Sequence, residues 1–203
     1  MKKIPTLYVR DRATGYVTDE ITPGCEWVLA GEGVATRKFD GTCVMFDGDA
    51  WWARREVKPG KTPPAGWVEV DRDGTTGKRV GWEPIEQSGF VKFWREAVRG
   101  AATFPHEPDP SLDAVEWLPG TYELVGPKIN GNPEHLDRHD LERHGETVLQ
   151  ASGQIVPGGA ERITVTDLLN ACRFHGWEGI VWHHRDGRRA KLKVRDYPKA
   201  ADA

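Results

Sequence analysis

The sequence predicts an α+β protein in which antiparallel β-sheets dominate. Short apolar runs recur between clusters of turn residues, as on the two sides of Asp47-Gly48-Asp49. Helical periodicity is confined to about three stretches, all of them after residue 87. Strands this short and this closely spaced pair with their neighbours along the chain, which favours hairpins over a parallel sheet.

Short strands are the regular elements predicted in the chain before residue 83. Turn residues such as Thr22-Pro23-Gly24 separate the apolar runs. Residues 57–66 contain three prolines and are expected to form a loop. The predicted strands are residues 4–9, 25–30, 34–45 (interrupted by a lysine-containing motif), 50–55, 67–70 and 79–82.

Three stretches have helical character. The first runs from Ser88, a possible cap, to Gly100, and its apolar stripe consists of Phe90, Phe93, Trp94 and Ala97. A polar helix is predicted over about residues 134–144. The third helix covers residues 167–175, with Thr166 as its cap and a glycine directly after it.

The remaining segments of the second half are read as loop and strand. Three prolines and acidic residues over 104–110 indicate a surface loop, and a strand follows at 121–126. A further strand is predicted over 147–155. The chain ends in a hairpin whose strands are residues 178–184 and 188–195.

Composition indicates a water-soluble protein of the cytoplasm. No apolar run approaches the length of about 20 residues that a transmembrane helix needs, and no apolar signal core follows the basic N-terminus. The three cysteines form no Cys-x-x-Cys pair. The formal net charge is −3, yet residues 185–199 carry seven Lys or Arg against two Asp, and local charge decides phosphate binding more than the total does.

The motif Lys38-Phe39-Asp40-Gly41-Thr42-Cys43 is the strongest chemical signal. On a strand, Lys38 and Asp40 would share one face. A lysine amine that is partly desolvated or lies near other cations loses its proton near neutral pH and becomes a nucleophile. Gly41 is suited to a place where backbone passes close to a ligand.

Three further motifs follow in a fixed order. They are Tyr122-Glu123-Leu124-Val125-Gly126, Glu178-Gly179-Ile180-Val181 and Lys191-Leu192-Lys193. Together with the lysine motif they resemble the covalent nucleotidyltransferase superfamily of polynucleotide ligases and mRNA capping enzymes, and small 5′–3′ RNA ligases most of all. The resemblance extends from about residue 34 to residue 195.

The resemblance implies a fold and a domain organisation. It implies an ATP-grasp-like nucleotidyltransferase domain of antiparallel β-sheets flanked by helices, without a C-terminal OB-fold domain. We therefore expect one domain over residues 1–203, with core motifs in 34–195, an N-terminal extension over 1–30 and an insert over 57–110.

The resemblance also implies chemistry at the lysine motif. Lys38 would attack the α-phosphorus of ATP to form a covalent lysyl-AMP. Lys191 and Lys193 are two residues apart on a strand and so share one face, from which both could neutralise the phosphate charge that grows in the transition state. Glu178 is the implied partner of Mg²⁺ or Mn²⁺, and Asp40 would orient Lys38 or a metal-bound water.

Further residues are implied for the nucleotide and the nucleic acid. Glu123 would accept a hydrogen bond from the ribose 2′-hydroxyl. The resemblance also implies a basic residue for the ribose or the nucleic-acid end at Arg54 or Arg55. The two point to opposite strand faces, so only one of them can take this role, and Arg54 is favoured. The candidates for binding nucleic acid are Arg55, Arg185, Arg188 and Arg189. An equally good interpretation of the C-terminal arginines is a solvated strand edge that prevents aggregation.

The implied function is that of an ATP-dependent RNA ligase in RNA repair. It would transfer AMP to a 5′-phosphate end and join that end to a 3′-hydroxyl, as a monomer. One alternative is a capping-type guanylyltransferase that uses GTP. Another is a catalytically inactive module that binds nucleotides or nucleic-acid ends.

Several residues depart from the pattern or have a structural interpretation. Cys43 stands where many family members carry arginine, and no histidine partner for its thiol is evident in the sequence. His135, His139 and His144 are predicted to lie on the solvated face of the polar helix. The chain ends ten residues after Lys193, where DNA ligases and capping enzymes continue into an OB-fold domain.

Overall fold

The computed structural model describes residues 2–101, 117–149 and 164–197. Contacts divide the chain into two compact units. The first unit comprises Met1–Lys3 and Asp40–His144, and the second comprises Ile4–Phe39 and Gly145–Ala203. The single domain over residues 1–203 stays a prediction.

The described ranges contain eleven strands and three α-helices. The helices are α1 (Glu26–Leu29), α2 (Val91–Ala101) and α3 (Val165–His175). The strands are β1 (Tyr8–Arg10), β2 (Val17–Ile21), β3 (Val34–Lys38), β4 (Thr42–Phe46), β5 (Trp51–Val57), β6 (Val68–Arg72), β7 (Arg79–Pro84), β8 (Gly120–Val125), β9 (Asp140–Arg143), β10 (Gly179–His183) and β11 (Arg189–Lys193).

The first unit is built on a six-stranded sheet in the order β6-β7-β5-β4-β8-β9. Every pair of neighbouring strands in it is antiparallel. Helix α2 packs against β8 and β9 with the predicted apolar stripe. The buried core of this unit consists of Val44, Ala53, Ile85, Ala97, Tyr122, Leu124, Ile129 and Leu141.

The second unit contains a three-stranded antiparallel sheet in the order β11-β10-β3 and a two-stranded sheet of β1 and β2. Helix α3 packs against β10, and Thr164 caps it through a reciprocal pair of hydrogen bonds with Asp167. Fully buried residues of β10 and β11 face this core, namely Ile180, Ala190 and Leu192. The α+β class with antiparallel sheets is thus confirmed.

Most predicted elements are confirmed, but two are wrong. Residues 26–29 form a helix rather than a strand, because Trp27 and the adjacent Val28 are both buried and a strand would turn neighbouring side chains to opposite faces. The polar helix over 134–144 does not form. Left-handed backbone at Asn130, Asn132 and His135 makes successive turns, and β9 follows them.

Smaller corrections concern helix ends. Helix α2 begins at Val91, and the Ser88 hydroxyl accepts a hydrogen bond from the Phe90 N–H in the preceding turn. Gly100 lies inside α2, and α3 is capped by Thr164 rather than Thr166.

Two predicted segments fall partly or wholly on residues that the structure does not describe. The proline-rich loop at 104–110 and the end of the strand at 147–155 lie outside the described residues. Thr147 and Leu149 do hydrogen-bond to β3, at 2.8 and 2.9 Å. Among the described helices, none combines the length and the apolarity needed to cross a membrane.

Leu192 is a direct test of how β11 is held. Its side chain is fully buried in the core of the second unit. We expect Leu192→Ala to lower the free energy of unfolding by about 2–5 kcal/mol, because it removes apolar contacts and leaves a cavity.

Urea denaturation followed by circular dichroism measures this loss. Val68→Ala is the control, since that side chain is half exposed and its truncation should cost less than about 0.5 kcal/mol. Equal losses in the two variants would contradict the assigned core.

Candidate active site

The lysine motif contributes to one face of the three-stranded sheet in the second unit. Lys38 on β3 and Lys193 on β11 are both in register with Gly179 on the central strand β10. Lys191 is in register with Val181. Side chains in register on neighbouring strands point to the same face, so the three predicted lysines lie together there, opposite the core.

Gly179 permits this arrangement. A β-carbon at this position would lie 2.1 Å from the carbonyl oxygen of Leu192 and 2.8 Å from the α-carbon of Lys193. Its φ angle of 156° is also unfavourable for other residues. A side chain here would therefore push β10 and β11 apart at the point where Lys38 and Lys193 converge.

Glu178 neutralises part of this positive charge. One carboxylate oxygen accepts a hydrogen bond from the Lys38 amine and the other accepts one from the Lys193 amine. Arg195 lies 3.7 Å from the second oxygen. Burial by itself would raise the pKa of Glu178, but the attraction of Lys38 and Lys193 outweighs it and holds that pKa below its ordinary value.

Within the described ranges, no carboxylate forms an ion pair with the Lys191 amine as Glu178 does with the other two lysines. Burial lowers the pKa of Lys191 to about 8, and repulsion by Lys193 and Lys38 adds to the decrease, against a weaker attraction by Glu178 and Asp196. This sheet face therefore carries the Lys38 and Lys193 amines, which pair with Glu178, and beside them the partly desolvated amine of Lys191.

Asp196 stabilises the end of β11 and was not predicted from the sequence. Its carboxylate is 1% exposed, accepts the Lys193 backbone N–H at 3.1 Å and binds the Arg10 guanidinium at 2.6 Å. A buried, fully partnered aspartate of this kind fixes the backbone that carries Lys193. The signal in the sequence was an aspartate three residues after Lys193, a spacing at which its side chain can accept a hydrogen bond from the lysine backbone.

Asp40 lies beyond the strand that carries Lys38. Strand β3 ends at Lys38, so the expectation that the two residues share one strand face is wrong. Within the first unit, Asn130 donates a hydrogen bond to the Asp40 carboxylate at 3.1 Å, and the Asp40 N–H donates one to Glu134 at 2.8 Å. Neither Asn130 nor Glu134 was singled out from the sequence.

Glu123 is held by groups on two sides. One carboxylate oxygen accepts the Gly41 N–H at 3.1 Å, and the other lies 2.8 Å from Nε2 of His144. The opposite ring nitrogen of His144 lies 2.9 Å from the Thr121 hydroxyl. The prediction that His144 lies on a solvated helix face is therefore wrong. His144 follows β9 and contacts Glu123, a predicted site residue.

His139 is also not solvated. It is 7% exposed, its Nδ1 lies 2.7 Å from Glu96, and its ring stacks on Phe93. These side chains, with Lys92 and Lys128, line a cavity of about 530 Å³ in the first unit.

The predicted arginines differ in their surroundings. Arg54 on β5 has a buried Nε with no hydrogen-bond partner among the described residues. Arg55 lies 3.6 Å from the buried carboxylate of Glu83 and forms an ion pair with it. In the second unit, Arg188 is exposed and pairs with Asp186 at 2.8 Å.

Arg185 lies in the exposed turn of the terminal hairpin, and Arg189 begins β11. Arg189 is two residues before Lys191 on the strand and therefore extends the lysine face. The hairpin is thus positively charged, as the sequence predicted.

Two predicted metal-binding carboxylates fit Mg²⁺ or Mn²⁺ only as part of a larger ligand set. Both oxygens of Glu178 already accept hydrogen bonds from lysines. Among the described residues, neither Glu178 nor Asp40 belongs to a cluster of three metal-binding side chains. Mg²⁺ usually binds through one or two carboxylates together with phosphates and waters, and each carboxylate fits that role.

The partly buried charge of Lys191 generates a prediction about stability and pH. Because its pKa in the folded state is about 8 and its ordinary value is 10.5, the unfolded chain binds more protons between these values. The unfavourable contribution of the Lys191 charge to the free energy of unfolding is fully present below pH 8 and disappears as the pH rises toward 10.5. We expect Lys191→Met to raise the free energy of unfolding at neutral pH by about 1–3 kcal/mol.

Urea denaturation at pH 7 and pH 10 measures the effect, which should shrink at the higher pH. Lys61→Met is the control, because Lys61 is exposed in a loop and should change stability by less than about 0.5 kcal/mol. A destabilised Lys191→Met protein at pH 7 would contradict the assigned environment.

Comparison with known proteins gives relatives of one kind. No protein-family model matches the chain. The protein named RNA ligase 1 of Rattus norvegicus is 28% identical over 215 aligned positions, which cover 78% of this chain and 65% of the relative. RNA ligase 1 of Mus musculus is also 28% identical, and that of Danio rerio is 26% identical, with the same coverage. This chain is thus similar to proteins named RNA ligase 1 and spans about 65% of their length.

Proposed function

We propose that this protein is an ATP-dependent RNA ligase that works through a covalent lysyl-AMP on Lys38. The observation that carries the proposal is the pairing of Lys38 with the buried carboxylate of Glu178 on the sheet face that also bears Lys191 and Lys193. The similarity to proteins named RNA ligase 1 supports RNA as the substrate. The proposal includes an ATP-grasp-like nucleotidyltransferase fold and a monomer that acts in RNA repair in the cytoplasm.

The first chemical step requires a neutral amine. Lys38 gives up a proton to Glu178 or to water, and its nitrogen attacks the α-phosphorus of ATP. A P–N bond forms, the P–O bond to pyrophosphate breaks, and pyrophosphate leaves. The attacking nitrogen gives its second proton to the departing pyrophosphate or to water, and the resulting neutral phosphoramidate N–H no longer forms an ion pair with Glu178.

Lys191 and Lys193 act on the phosphate. Their amines lie on the face from which Lys38 attacks, and fixed positive charge is most effective where negative charge grows in the transition state. With a pKa of about 8, Lys191 still carries its charge at neutral pH. Glu178 and Asp40 are the residues that would hold Mg²⁺ or Mn²⁺, which neutralises triphosphate charge and polarises the α-phosphate.

Two residues of the first unit are assigned to the nucleotide. Glu123 is proposed to accept a hydrogen bond from the ribose 2′-hydroxyl, because contacts with Gly41 and His144 hold its carboxylate in place. Arg54 is proposed to bind the nucleotide through the Nε that has no protein partner among the described residues. An unpartnered buried donor is costly unless a ligand satisfies it.

The later steps use RNA ends. AMP passes from Lys38 to a 5′-phosphate, and a 3′-hydroxyl then attacks that phosphate and expels AMP. Arg55 and the hairpin residues Arg185, Arg188 and Arg189 are proposed to hold the RNA backbone, since arginine pairs well with phosphate.

Covalent labelling tests the first step. Purified protein is incubated with Mg²⁺ and each α-³²P-labelled nucleoside triphosphate and then separated on a denaturing gel. We expect label from ATP with the wild type and at least a thousandfold less with Lys38→Ala, on the order of what loss of a covalent nucleophile costs. Lys61→Ala, which removes an exposed loop lysine, should label like the wild type.

Peptide mapping of the labelled protein should place AMP on Lys38. Label on Lys191 would contradict the assigned nucleophile, and label from GTP alone would favour the capping-type guanylyltransferase. Absence of label from folded protein with every nucleotide would contradict the enzyme proposal and leave the binding module.

A further inference from the structure

The first unit brings together three side chains of the kinds that bind transition metals. The Sγ of Cys43, a carboxylate oxygen of Glu123 and a ring nitrogen of His144 all lie within 4.8 Å of one another. They come from β4, β8 and the turn after β9, and Cys43 and Glu123 are direct neighbours across two paired strands. The pairing of strands therefore brings together three residues that are up to 101 positions apart in the sequence.

The distances between these donor atoms are close to those between the ligand atoms around a single metal ion. Zinc binds sulfur at about 2.3 Å and nitrogen or oxygen at about 2.0–2.2 Å, so tetrahedral donors lie about 3.3–3.6 Å apart. The His144 nitrogen and the Glu123 oxygen are 2.8 Å apart, and the largest separation in the cluster is under 4.8 Å. Rotation of these side chains would have to bring all three donors to bonding distance of one ion.

Outer groups already orient two of the donors. The Thr121 hydroxyl lies 2.9 Å from Nδ1 of His144, which leaves Nε2 for a metal. The Gly41 N–H binds one oxygen of Glu123 at 3.1 Å, which leaves the other oxygen. Metal-binding histidines and carboxylates usually have such second hydrogen bonds, and these partners fix the side chain before the metal arrives.

The type of donor indicates the type of metal. A thiolate, an imidazole and a carboxylate together favour zinc and similar transition metals over Mg²⁺, which prefers oxygen. The side chains of Glu123 and His144 are 12% and 21% exposed, so water can reach the cluster and occupy a fourth position. We propose that Cys43, Glu123 and His144 form a binding site for Zn²⁺ or a metal of similar chemistry.

Metal binding releases protons from the ligands to the solvent. The Cys43 thiol, which now lies 3.8 Å from the Val44 carbonyl oxygen, gives up its proton to become a ligand. The Glu123–His144 contact opens, and both groups turn their electron pairs to the ion. Glu123 then no longer accepts a ribose hydroxyl, so the metal competes with the nucleotide; this consequence rests on the proposed function.

Cobalt(II) is the probe for this site, because it replaces zinc and its absorption reports on its ligands. Titration of the purified protein with Co²⁺ alone should produce a sulfur-to-cobalt charge-transfer band in the near ultraviolet and strong visible bands of four-coordinate cobalt. We expect Cys43→Ala to remove the charge-transfer band. His144→Gln should weaken Co²⁺ binding, and Thr121→Val should weaken it about 10–100-fold through loss of the hydroxyl that orients His144.

Cys25→Ala is the matched control. Cys25 is a buried thiol of the second unit's core and is outside the cluster, so this variant should keep the band. Circular dichroism confirms that each variant is folded. A wild type without the charge-transfer band, or a Cys43→Ala protein that keeps it, would overturn the proposal and leave Glu123 and His144 as a hydrogen-bonded pair.

This readout needs neither nucleotide nor RNA, so it separates the metal site from the ligase. A cobalt band in a protein that ATP does not label would support the metal site and contradict the proposed function. If ATP does label the protein, Zn²⁺ should reduce the labelling of the wild type and of Cys25→Ala more than that of Cys43→Ala.

Discussion

The buried carboxylate of Glu178 is the interaction on which the lysine face depends. Three amines and a guanidinium converge on one small area, and two of the amines bind directly to this one carboxylate. Without it, Lys38 and Lys193 would repel each other in a partly desolvated place. A charged pair of this kind contributes little net stability, because desolvation offsets attraction. Its main effect is to fix where the amines lie.

The three-stranded sheet separates packing from chemistry. On β10 and β11 one face carries Ile180, Ala190 and Leu192 into the core, and the other face carries Lys191 and Lys193. The two-residue period of a strand makes this division unavoidable, since a shift of one residue would bury the lysines and expose the leucine. The same apolar contacts that stabilise the fold therefore hold the register of the charged face.

In the first unit, one carboxylate has two possible roles. Glu123 lies beside Gly41, which has no room for a side chain because a β-carbon there would lie 2.3 Å from the Leu124 carbonyl oxygen. It also contacts His144 and neighbours Cys43. In the two proposals, a ribose hydroxyl and a metal ion would both use the Glu123 oxygen that now faces His144. The proposed competition would make nucleotide binding sensitive to zinc.

The sequence by itself determined the strand alternation, the order of the motifs and the shared face of Lys191 and Lys193, because these depend on the local geometry of the chain. The partners of those residues depended on the tertiary structure. Glu178 and Lys38 are 140 positions apart, and their contact follows from the register of β3 on β10. Turns with left-handed backbone at Asn130, Asn132 and His135 replaced a predicted helix, because a residue in that conformation does not continue a right-handed helix. The pairing of β8 with β4 and β9 brought His144 to Glu123 and Cys43.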